Sequence, residues 1–472
     1  MCAKTLEYSR YTSRDSALQF IKEPSKVEPA TRVPVKKSPL IMIFLVIFAV
    51  YLCSPIMTSF DSRWSVHTSL SLWHEGNANL NEYQSLLETQ NHYAIEKINH
   101  SYYSIFPVGT SLLSMPFVVI ADEIFSWTMR HSEMAKNSAI EILAARGIET
   151  DNPTLIHIHP LIEKVIASFF TALCCVFMYL IARHYLTLSG SLMFATLFAF
   201  GTAAWSTTSR ALWQHGPSML LLAISLYLLI QAKNNVKLVK FIAIPLALAF
   251  IVRPTNAIPI VFFMLYIGLN HRSEFFRFIA VAVPFALCFF IFNYLSFDSL
   301  LPGYYNSGRV FASEHFVEAM AGNLISPARG LLIYSPFLCV ALYHLLCRSR
   351  FDKRSLDGYF ALIIVCHWIV ISSFPHWWGG HAYGPRFFSD VLPFLFYFLI
   401  FPMKHILQSE RFLKPAFVLF YLLGIASVLI NFRGAWHKDV YLWNTSPTDI
   451  SKSPERIWSW QDAQFLRKSA ED

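Results

Sequence analysis

The stretch SPLIMIFLVIFAVYLCSPIMTSF, residues 38–60, contains 23 consecutive uncharged residues, and Asp61 follows it at once. A helix rises about 1.5 Å per residue, so about 20 apolar residues cross a bilayer core of roughly 30 Å. Within this stretch 39–59 is the first candidate span. Ten more apolar runs follow, at 163–183, 189–207, 212–231, 238–252, 255–270, 276–296, 331–347, 358–374, 391–403 and 415–431. The shortest, 238–252 and 391–403, fall below spanning length and are expected to extend a few residues beyond those limits. Composition agrees: 55% of residues are hydrophobic and 14% charged, against about 25% charged in a soluble domain. The sequence reads as an all-α polytopic membrane protein with about 11 transmembrane helices.

Charge placement orients these runs. Residues 1–37 hold eight Lys/Arg against four acids and lack apolar periodicity, which predicts a flexible cytoplasmic tail. The run Pro107–Phe125 is ambiguous. If it stays outside, the tail and the inner connections gather 21 basic residues against 8 acids, leaving 17 basic residues and 22 acids elsewhere. Counting it as a span would put the basic loops outside, against the positive-inside rule. We therefore read 107–125 as an interfacial helix in the first outer loop. The outer loops are then 60–162, 297–330 and 375–390, around a membrane domain at 38–431, with an extracytoplasmic segment at 432–472. The net charge of +8 reflects this topology rather than nucleic-acid binding. Most of the eight cysteines lie in apolar runs, with no disulfide framework or zinc spacing.

The outer stretches hold the residues suited to chemistry. Asp61, between Phe60 and Trp64 at the end of a span, is placed to act as a general base. In 374–390, FPHWWGGHAYGPRFFSD, Trp377, Trp378, His381 and Tyr383 offer faces and polar tips for a sugar, and Arg386 a forked donor for phosphate. Arg329, in SPARGLLIYSP at 326–336, and Arg253, in a tight turn before Pro254, are further phosphate candidates; Arg329 equally suits snorkelling to headgroups, and Arg253 suits a structural role, bonding free carbonyls around Pro254, slightly better. His376 and His381 lack carboxylate or Cys neighbours at ligand spacing, so no metal site is expected. His215 reads as structural.

The arrangement resembles a known family. An Asp after the first span, then Ser71-Leu72 to Gly76, then Tyr103-Ser104 to Pro107 and Gly109, is similar to the GT-C superfamily of membrane glycosyltransferases. The nearest likeness is to protein O-mannosyltransferases and bacterial lipid A aminoarabinose transferases. The resemblance implies a polyprenyl-phosphate sugar donor, Asp61 as the catalytic acid of the first outer loop, and Arg386, Arg253 and Arg329 around the donor phosphate. It places Tyr103 with Trp377, Trp378, His381 and Tyr383 about the sugar and acceptor. Many members carry a second acid directly after the first; here that position is Ser62, which argues against a two-acid or metal-bridged mechanism.

The expected function is therefore sugar transfer to a glycan, lipid or protein acceptor at the outer face, with inversion. The resemblance points to a bacterial inner membrane. No cofactor is implied, the lipid-phosphate sugar being a substrate. The rival reading is a transporter or flippase of lipid-linked sugars.

Overall fold

The computed structural model describes residues 37–89, 93–305, 310, 314–349, 351–408 and 414–468. The tail expected at 1–37 lies outside them, save its last residue. The protein is mostly helical, 72% helix and 2% strand. Among the described residues the strands are one antiparallel hairpin, Ile95–Ile98 with Ser101–Ser104, in which Glu96 faces Tyr103. Its turn residues Asn99 and His100 have φ of 47° and 70°, a left-handed pair of the kind that tight hairpins use. No strand was anticipated there.

Each apolar run of the sequence is helical over most of its length. Among the described residues six helices are long and apolar enough to cross a membrane: Gly109–His131, Leu155–Arg183, His215–Ala232, Arg272–Phe297, Arg386–Gln408 and Pro415–Trp436. Shorter apolar helices include Ser38–Cys53, Leu188–Phe200, Pro254–Asn270, Leu338–Arg348 and Leu356–Ser372. This is the composition of an integral multi-pass membrane protein in a lipid bilayer. The two short runs do extend: a 3-10 turn at Val236–Ile242 leads into Ala243–Val252, and Leu392–Gln408 continues five residues past Phe-Pro-Met at 401–403.

The first run is shortened instead. Its helix is Lys37–Cys53, because Pro55 lacks an N–H and disfavours helical geometry at Ser54. Residues 54–60 continue without helix.

Helices 155–183, 215–232 and 386–408 form the interior of the bundle, with 72%, 78% and 67% of their apolar windows buried. Phe396 meets Phe194, Phe198 and Phe337 there, at ring separations of 4.9–5.7 Å. Helices 272–297 and 415–436 are peripheral, at 11% and 22%. Their exposed faces are apolar, including Leu287, Ile291, Leu295, Leu422 and Leu429, as lipid contact requires.

Hydrogen bonds sort the helix ends into two sets. At one end Gln231 donates toward His184, Asn270 Nδ2 donates to Lys353 O, and Tyr397 Oη donates to Asp357. At the other, Ser59 and Ser62 donate to Glu163, Ser335 donates to Gly201 O, and Arg386 meets Asp61. Described residues of the stretches 60–162, 297–330, 375–390 and 432–468 meet at this second end, among them Asp61 with Arg386, Tyr304 with Gln214, and Arg329 with Gly380 and Gln464.

Candidate functional site

The second end is built around the irregular stretch 54–62. Where helix 37–53 stops, its last carbonyls need donors. Arg210 donates to Tyr51 O and Ser54 O at 2.6 and 3.0 Å, and Lys164 Nζ to Ser54 O at 3.0 Å. Cations at a helix C-terminus also meet its negative dipole end. Burial lowers the Arg210 guanidinium to about 9, which leaves it a cation at neutral pH. Trp213 Nε1 donates to Thr58 O at 3.1 Å. Glu163, fully buried, accepts from Ser59 at 2.6 Å and also from Ser62. These straps fix the backbone from which Asp61 projects.

Neither Glu163 nor Arg210 belongs to a motif. The signal that could have found them is the one that marks Asp61, an ionisable residue at the edge of an apolar run. Arg210 follows a π-helical turn, Ala204–Thr208, a distortion often found at functional sites. That turn ties in the later loops: Thr207 donates to Tyr383 O and Ser206 to Asn431.

Asp61 and Arg386, which sequence reasoning assigned to separate tasks, form an ion pair. Arg386 Nη1 donates to Asp61 Oδ2 at 2.8 Å, with the side chains 12% and 21% exposed respectively. The guanidinium lies 4.4 Å from the Trp213 ring centroid and 5.3 Å from that of Phe387, contacts that hold its plane. Its Nε is buried without a hydrogen-bond partner. Gly379, at φ +74°, lies beside that nitrogen; a Cβ there would come within 3.3 Å of it. Burial raises the nearby Tyr441 phenol to about 12, and the charge of Arg386 opposes the rise.

His381 also reaches this place. Its ring lies 5.6 Å from Phe60, and Nε2 contacts Asp449 at 3.1 Å. Backbone donation from Ser451, then His381, holds the Asp449 carboxyl below its ordinary value. Phe60 stacks on Tyr93 at 5.2 Å, and both rings are exposed.

The other expected residues lie inside the protein. Arg253 contacts Asp390 at 3.3 Å and His215 at 2.8 Å, and Nε donates to Thr255; Asp390 is fully buried. Arg329, 1% exposed, donates to Trp378 O, Ala328 O, Gly380 O, Gln464 and Asn444. Burial lowers its guanidinium to about 10. It clamps four segments together. Trp377, Trp378 and Tyr383 are 2%, 8% and 2% exposed. A Cβ on Gly322 would strike the Trp377 ring, and one on Gly434 the Tyr383 ring, so these glycines accommodate close packing. The Tyr383 hydroxyl donates to Ile430 O at 2.7 Å. In this geometry neither Arg253 nor Arg329 has its guanidinium open to a phosphate, and these three aromatics present no open face.

Tyr103 is placed differently. It lines a cavity of about 250 Å³ between the first outer loop and residues 292–305, together with Ser65, Thr68, Phe106, Phe297 and Tyr304. Tyr103 meets Phe297 at 4.9 Å and Phe106 meets Tyr304 at 5.6 Å. Tyr304 donates to Gln214, next to the Trp213 beneath Arg386. Among the described residues no three His, Cys, Asp or Glu side chains group as a metal site. Comparison with protein-family models and with curated proteins finds no match to this chain.

Proposed function

We propose that the chain is a GT-C-like glycosyltransferase that moves a sugar from a polyprenyl-phosphate donor to an acceptor at the outer face of a bacterial inner membrane. The observation that carries this reading is the Asp61–Arg386 pair, which joins two separate outer stretches. Asp61 takes the proton of an acceptor hydroxyl as its oxygen attacks the anomeric carbon. The bond to the phosphate oxygen breaks on the opposite side, so configuration inverts, and the Asp61–Arg386 contact opens as the sugar seats between base and phosphate. Arg386 stabilises the leaving phosphate: Asp61 occupies one of its donors, while Nε has no partner. A fixed cation there meets charge that grows in the transition state.

Eleven crossings fit this reading, with helix 109–131 lying along the interface. Its Gly109 abuts Ile251 and Val252, at the same end as Glu163. Between the two lie only the 12-residue helix Glu133–Ala144, a short 3-10 turn and irregular chain. A crossing by 109–131 would need a return crossing there, and lipid does not tolerate irregular backbone. Asp122, near the middle of the helix, contacts His74 at 3.6 Å, a polar contact suited to the interface.

The test is reconstitution of the full chain in proteoliposomes with labelled lipid-phosphate mannose, aminoarabinose and arabinofuranose, and gene-deleted host membranes as acceptor. Label passing from the carrier to membrane glycoconjugates is the expected result. Movement of intact lipid-sugar between leaflets without transfer supports the flippase instead.

A further inference from the structure

We propose that the cavity lined by Tyr103 is the acceptor subsite and that it takes an uncharged sugar ring, not a phosphate-bearing group. This rests on the glycosyltransferase reading. The first ground is charge. Among its described lining residues the cavity has no Lys, Arg or His, and its single charged group is Glu96. A phosphate would meet a carboxylate there, and no cation among the described lining residues offsets the repulsion. Arg386 stands outside the cavity with an unpartnered Nε. The two substrates are thus sorted by charge, the phosphate to Arg386 and the neutral ring to the cavity.

The second ground is chemistry suited to a carbohydrate. Tyr103, Phe297, Phe106 and Tyr304 offer flat apolar rings in two tilted pairs. The hairpin sets Glu96 opposite Tyr103 in register, placing an acceptor for sugar hydroxyls beside a ring that can stack. Thr68, 4% exposed, lines the cavity, and its Oγ1 is buried without a hydrogen-bond partner. The volume, about 250 Å³, admits a sugar ring, and an adjoining space of about 550 Å³ shares Glu96, Phe297 and Tyr305 with it, which leaves room for the rest of a larger acceptor. Tyr304, on the cavity wall, donates to Gln214, the neighbour of the Trp213 on which Arg386 rests, and Ser65, also on the wall, follows Asp61 by four residues in the chain.

The experiment is saturation-transfer NMR on the full chain in nanodiscs, with methyl mannoside, methyl glucoside and methyl N-acetylglucosaminide as probes and glucose 6-phosphate as the anionic control. At least one methyl glycoside should bind wild type, at least tenfold more weakly to Tyr103→Ala but normally to Tyr103→Phe, which keeps the ring. Glucose 6-phosphate should bind only after Glu96→Lys. Three results overturn the proposal: no glycoside binding to wild type, binding indifferent to Tyr103→Ala, or Tyr103-dependent binding of glucose 6-phosphate to wild type. Binding is measured without turnover, so a failed transfer assay would sink the glycosyltransferase reading and leave this result distinguishable.

Discussion

The two ends of the bundle solve the same problem differently. At the end of Gln231, Lys353 and Asp357, side chains bond near the surface and close short connections. Glu274 is the buried acid there, and Arg277 one turn away pairs with it. At the end of Asp61, Glu163, Arg210, Arg253, Arg329 and Asp390 are at most 5% exposed. Several of their bonds link residues more than 100 positions apart, as Ser62 to Glu163, Arg210 to Ser54 and Arg329 to Gln464. Buried charges are costly and often add nothing to stability over apolar packing. Their concentration at one end suggests a site whose geometry must be held, whereas the other end only has to join helices.

This contrast can be broken by mutation. The largest stability effect is expected for Arg210→Ala, which removes the donor to Tyr51 O and leaves Ser54 O to Lys164 alone; each buried carbonyl left without a donor costs about 1–3 kcal/mol. It is read as a fall in thermal midpoint in nanodiscs. Arg386→Gln should keep the fold yet slow transfer by about 10²–10³, the usual cost of a preplaced transition-state donor. Arg386→Lys should recover part of that, since it restores charge without the fork. At the opposite end, Tyr397→Phe removes one hydrogen bond, to the Asp357 carboxylate, and should cost about 1.5–3 kcal/mol with transfer unchanged. The smallest effect is that of Asp449. Its carboxyl is held below its ordinary value, so its contribution is present at neutral pH and fades as pH falls and the carboxyl takes up its proton. Thermal midpoints of wild type and Asp449→Asn should differ slightly at neutral pH and converge in acid.

The apolar runs were legible in the sequence because lipid imposes composition on every residue of a span, and counting recovers it. Asp61 and Arg386 were legible as charged residues at the rims of those runs. Their pairing was not, because it spans 325 positions and leaves no local pattern. Trp377, Trp378 and Tyr383 show the opposite limit: Gly and aromatic residues look alike whether the rings meet a ligand or, as at Gly322 and Gly434, a neighbouring backbone. The hairpin escaped for a simpler reason. Its four-residue strands are too short to establish an alternating pattern.

The central claim is that Asp61 removes a proton while Arg386 stabilises phosphate. Its most direct measurement is the single-turnover rate of Asp61→Asn with saturating labelled lipid-phosphate sugar, beside a thermal midpoint for the same sample. We expect an unchanged midpoint within a degree or two and a rate lower by about 10²–10⁴, the range for loss of a positioned general base. A folded Asp61→Asn protein that transfers sugar at the wild-type rate would contradict the account.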